Sequence, residues 1–170
     1  ETTTEGVEES AESEEATTED VEEAPEVSDG AETGLSVDTS IEKSTDATEN
    51  ENGLAQADSV IVAVIVDTEE RIANCAIDSA QTKINFSENG EIITPLDTVF
   101  VGKQELGEDY GMKSVSEIGK EWYEQADAFA EYAVGKTVEE VKGISLNEEG
   151  VPTESELTSS VTIHVGSFLT

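Results

Sequence analysis

Basic residues are scarce in this sequence: 8 Lys and Arg stand against 41 Asp and Glu in 170 residues, a formal net charge of -33. That ratio excludes nucleic-acid binding, because affinity for a phosphate backbone comes from Lys and Arg displacing its counterions. It also sets the chain against anionic membrane surfaces and predicts a soluble monomer. With one cysteine, Cys75, no intrachain disulfide can form, and a disulfide-stapled miniprotein is ruled out. No apolar run approaches the roughly 20 residues of a membrane-spanning helix. Aromatic residues make up 5% of the chain, so the core must be modest and concentrated in one part of it.

Acidic residues crowd the start. Residues 1–32 hold fourteen of them, with no Lys, Arg, Leu, Ile or aromatic side chain. Such a stretch cannot bury enough apolar surface to offset backbone ordering, which costs about 1–2 kcal/mol per residue. A disordered acidic spacer is expected over 1–33, followed by a single α+β domain over 34–170. The chain opens on Glu1, which suggests a processed product whose signal peptide has already been removed.

Strand patterns fill the first half of the domain. Leu35, Val37 and Ile41 alternate with polar neighbours, as in a half-buried strand. After a polar turn over Asp46 to Gly53 comes the most apolar run, Val60 to Val66. It is β-branched at nearly every position and predicts a central strand buried on both faces. Asp67 to Glu70 reads as the turn of a hairpin returning through Ile72, Cys75 and Ile77. Another alternation, Lys83 to Phe86, leads to Asn89-Gly90, a type I′ turn signal, and to a partner strand at Ile92-Ile93.

Helical signals fill the second half. Ser114 and Glu117 form a capping-box pattern ahead of Ile118, Trp122, Ala126, Phe129, Ala130 and Ala133, which share one helical face. Gly135 suits a C-cap, and Thr137 with Glu140 opens a second, short helix. Thr153 with Glu156 is a further capping pattern. Val161 to Phe168 reads as a last strand. The expected architecture is a mainly antiparallel sheet of four to five strands with one long helix packed on one face.

Chemistry-bearing residues are few. His164, the single histidine, alternates with Thr162 and Gly166 and reads as a surface or edge residue. Cys75 falls on the apolar phase of a strand, where a thiol is inert for want of electropositive surroundings. No calcium loop, zinc spacing, phosphate loop or nucleophile elbow is present. No catalytic or metal-ligating set is therefore expected. Trp122 belongs to the core stripe, whereas Tyr123 and Gln125, with Tyr110, Met112 and Lys103, could line a ligand cleft or pack as core and surface.

The stretch Leu106-Gly107-Glu108-Asp109-Tyr110-Gly111-Met112-Lys113, with Ile118-Gly119-Lys120-Glu121-Trp122 and Gly135-Lys136-Thr137, resembles a group of exported clostridial (Firmicutes) lipoproteins. In those proteins an acidic spacer follows a lipid-modified cysteine. The order of hairpin, helix and terminal Ser/Thr segment is also similar to small FMN-binding domains of flavin electron-transfer proteins. There an acidic residue precedes a Ser-Gly-Ala-Thr motif whose Thr takes FMN through a phosphoester bond. Glu156, Ser159 and Thr162 match the spacing, while Ser160 and Val161 stand where the family has Gly and Ala.

The resemblance implies an extracellular, lipid-anchored carrier of FMN or a related small ligand. Thr162 would be the attachment point, with Ser159, Glu156, Tyr110 and Lys103 as its neighbours. It further implies a natural C-terminus beyond Thr170. The rival reading is a cofactor-free surface module of adhesin or solute-binding type.

Overall fold

The computed structural model describes residues 29–170. The expected spacer over 1–33 lies almost wholly outside them, and strand structure has begun by Glu32. Three strands, β1 (Glu32–Ser40), β2 (Gly53–Val66) and β3 (Ile72–Phe86), form an antiparallel sheet in the order β1-β2-β3. The β-branched run of β2 is its centre. Val60, Val62 and Val64 lie opposite Ser79, Ile77 and Cys75 of β3, and opposite Asp38, Ser36 and Gly34 of β1. Asp67 closes the β2–β3 hairpin as a side-chain turn, its Oδ1 accepting the N–H groups of Glu69 and Arg71 at 2.8 and 2.9 Å.

Three strands form where four to five were expected. β3 runs unbroken through Asp78–Thr82, pairing with β2 along the way, so two expected strands are one. Gly90 takes a positive φ of 80° but Asn89 does not. The type I′ turn is therefore absent, and Ile92 touches Phe86 through a single bridge. Val161 to Phe168 forms no strand. Val161, Ile163 and Val165 are buried, but they are irregular core filler before a 3-10 turn at Gly166–Leu169. The alternation reflected burial without a neighbouring strand to pair with. Burial of β1 and β2 also falls short of expectation. Leu35, Val37 and Ile41 are 73%, 61% and 70% exposed, and Val60–Val66 is only half-buried.

Three helices follow: α1 (Lys103–Leu106), α2 (Trp122–Ala133) and α3 (Val138–Lys142). The longest has 12 residues, and it does not begin at Ser114. Left-handed backbone at Gly119, φ 64°, interrupts the helix. α2 starts instead where Glu124 reaches back to the Glu121 N–H at 2.8 Å. The buried Glu121 carboxylate meanwhile accepts the N–H groups of Met112 and Lys113 at 2.8 and 2.9 Å, tying the preceding loop to the helix start. Gly135, φ 82°, follows α2 as expected. The Thr137–Glu140 capping box opens α3, whereas Thr153 to Glu156 makes turns without a helix.

The core lies where α2 meets β3. Phe129, Ala126, Ala130 and Ala133 pack with Ile72 and Ile77 and with the Leu157–Phe168 segment. Phe168 meets Trp122 and Phe129 edge-on, with centroids 6.2 and 5.7 Å apart. Beyond the sheet pairing, the outer edge of β3 is bonded as well. Gly135 and Lys136 exchange backbone bonds with Ile72 at 2.8 Å, and Gln104 Nε2 donates to the Ile77 carbonyl at 3.0 Å.

Candidate ligand cleft

Lys103 is aimed by its neighbours. The preceding Gly102 bridges Ala80 of β3, and a Cβ there would overlap the Asp78 carboxylate, so glycine permits the approach. Asp78 Oδ1 accepts the Gln104 N–H at 3.0 Å and the Ser79 N–H at 2.7 Å. α1 is thereby pinned against β3, and Lys103 turns inward beneath two aromatic rings. Its Nζ lies 4.7 Å from the Tyr110 centroid and 4.9 Å from that of Trp122, within cation–π range.

The side chain is 9% exposed. Among the described residues no salt bridge or hydrogen bond engages its ammonium, whose nitrogen opens to the cleft instead of being sealed in the interior. Burial, with Lys43 and Lys83 acting in the same direction, pushes its pKa from 10.5 down to about 8. Burial also raises the Tyr110 hydroxyl above its ordinary value.

Lys103 faces a cleft of about 650 Å³, whose walls include Asp38, Asp58, Ser79, Gln81, Thr162 and His164. Asp58 is already engaged, with Lys43 at 2.6 Å and Gln56 at 2.7 Å. Burial works to raise its pKa, but those bonds outweigh it and hold the carboxyl below 3.8. Thr162 donates its N–H and its hydroxyl to Gln125 Oε1 at 2.8 and 3.1 Å. Gln125 is fully buried, and its amide is fixed by Ser116 Oγ and the Lys120 carbonyl at 3.3 and 3.2 Å. His164 is exposed at the rim.

Of the five residues singled out in the sequence, Lys103, Tyr110 and Thr162 come together in this cleft. Glu156 and Ser159 do not. Both are exposed on the turns over 155–160, and Glu156 instead helps raise the pKa of Tyr132, after burial and Glu154. Met112 lines the cleft and Trp122 serves both cleft and core. Gln125 acts from beneath, through Thr162, and Tyr123 packs against the core.

Asp38, Asp58, Ser79 and Gln81 were missed. Their signal was present: Gln56 and Asp58 share the strand phase of Val60, Val62 and Val64, so polarity changes midway along one face of β2. Cys75 stands apart from this cleft, half-buried, with burial pushing its thiol up to about 11, as an inert thiol requires.

Among the described residues no group of three His, Cys, Asp or Glu is placed to hold a metal ion, and no helix is long and apolar enough to cross a membrane. One stretch of 40 residues, 24% of this chain, is 52% identical to part of a chlorophenol reductase of Desulfitobacterium hafniense. The match covers 12% of that protein's length. No family model and no solved structure matches the chain.

Proposed function

We propose that this domain is a small-molecule carrier holding an acid-bearing ligand, FMN or a related compound, against Lys103. The observation that carries this reading is a largely buried lysine whose ammonium, open to the cleft, has two aromatic faces and no counter-anion among the described residues. Burying a charge is costly unless it is paired, and a phosphate or carboxylate entering the cleft would pair it.

In this reading the domain works outside the cell behind a lipid anchor, and a bound flavin would pass electrons with the protein supplying attachment and tuning. Thr162 is the covalent alternative within the same cleft. A phosphoester there would replace the hydroxyl proton that now bonds Gln125. The stretch shared with the chlorophenol reductase is too small a part of that protein to bring its activity with it.

Titration with FMN, followed through the single tryptophan, Trp122, tests the proposal. Saturable quenching is expected, with affinity falling at least tenfold in Lys103→Gln. Indifference to that substitution sinks the anion site. An intact mass and visible spectrum of protein from its native host, with and without Thr162→Ala, reports on covalent attachment.

The cofactor-free module is favoured by one separate observation. β1 has no partner on its outer edge among the described residues, and it presents exposed Leu35 and Val37. Such an edge can accept a strand from another protein. Colourless protein that ignores FMN but captures extended peptides along β1 would support it.

A further inference from the structure

A second cavity, of about 250 Å³, lies on the same face of the sheet. Its walls include Val62, Val64, Ile77, Phe129, Val141 and Phe168, and its one charged side chain is Lys142. In a chain with 41 acidic residues, none among the described residues lines this space. It adjoins the Lys103 cleft along both strands: Gly34 and Ser36 of β1 lead to Asp38 and Ser40, and Val64 and Val62 of β2 lead to Val60 and Asp58. Phe168 lines both cavities. From Asp58 to Val64 the strand spans about 20 Å at 3.3 Å per residue, with a polar end where Lys43 and Lys103 stand among Asp38, Glu42 and Asp58, and an apolar end.

Protein interiors are close-packed, and apolar space of this size left beside water forfeits both dispersion contacts and burial. A ligand that pairs only with Lys103 leaves that space unfilled. We infer that the ligand is an elongated amphiphile, with one acidic group at Lys103 and an apolar chain or ring system running past Phe168 between β2 and α3. The inference rests on the proposed carrier reading and names the ligand class of that same site. Placement argues for the orientation: the acid meets the Lys103 ammonium between its two rings, and the apolar body meets walls with no acidic side chain among the described residues.

The test is calorimetric titration of the whole chain with butanoate, octanoate and dodecanoate, each below its aggregation threshold. Affinity should rise with chain length, at up to roughly fourfold per methylene buried, and flatten once the apolar end is full. Two variants from different elements, Ser36→Phe on β1 and Val138→Phe on α3, should each collapse the dependence on chain length. Thermal melts check that both remain folded, and survival of one suffices. Lys103→Gln should weaken all three acids at least tenfold.

If butanoate and dodecanoate bind alike while Lys103→Gln still weakens both, the amphiphile inference fails and the anion site stands. Absence of binding by all three acids while FMN still binds overturns it likewise. If Lys103→Gln changes nothing, the carrier reading falls with it.

Discussion

Along β3 the sheet is closed by bonds from Gln104, Gly135 and Lys136 and by the aromatic face of α2, whereas along β1, among the described residues, it ends on unpaired backbone with Leu35 and Val37 exposed. β3 is the more apolar strand, with Ile72, Cys75, Ile77, Ile84 and Phe86 against Leu35 and Val37 in β1, and it is the strand on which a helix packs. α2 brings Phe129, Ala126 and Ala133 to one flank, and a chain with so few aromatics has nothing equivalent for the other. Packing is therefore concentrated beside β3, and the candidate cleft opens where that dense flank gives way to β1.

Substitutions can break or sharpen this comparison. Phe129→Ala should have the largest effect, about 3–5 kcal/mol of lost stability in urea denaturation, as for buried aromatics generally. Gln125→Leu comes next. It leaves two Thr162 donors without their acceptor, and about 1–3 kcal/mol is expected. The double variant with Thr162→Val should recover part of that loss by removing one of the orphaned donors.

Lys103→Met is smaller in magnitude but distinctive in sign. The folded-state pKa of about 8 lies below the ordinary 10.5. Between those values the unfolded chain binds the proton that the folded one has released, so wild-type stability rises with pH. Below pH 8 both states are protonated and the burial penalty is fully present. The wild type should therefore gain on Lys103→Met between about pH 8 and 10.5, and parallel pH profiles would contradict the burial of this ammonium. Ligand affinity should fall over the same rise in pH, as the ammonium deprotonates. At the small end, Val37→Ala should shift stability by no more than about 0.5 kcal/mol. A larger loss would mean that the β1 flank is covered in solution.

Much of this contrast was legible in the sequence. The β-branched run marked β2, Asp67 to Glu70 its hairpin, and the spacing of Trp122, Ala126, Phe129 and Ala133 the buried face of α2. The helix start was misplaced because Ser-x-x-Glu patterns abound in a chain so rich in Ser and Glu. Gly119, in left-handed backbone, decided which one could continue into helix. The final strand was misread because Val161, Ile163 and Val165 alternate for burial in the core, without a neighbour to pair with.

The site was likewise only partly visible. Motif spacing set Glu156 and Ser159 beside Thr162, but turns over 155–160 carry both outward. Lys103, Tyr110 and Met112 come together through the Gly102–Asp78 approach and the Glu121 clasp, tertiary contacts between residues distant in sequence.

The Gln125 carboxamide has one more consequence. It holds Thr162, a residue in neither strand nor helix, to the buried face of α2. Opening that N–H to water requires the α2 contact to come apart, not merely the local chain to fray. In deuterated solvent the Thr162 amide should therefore keep its proton on the timescale of the α2 interior, well after the turns over 155–160 have exchanged. An apparently irregular segment would then open together with the core.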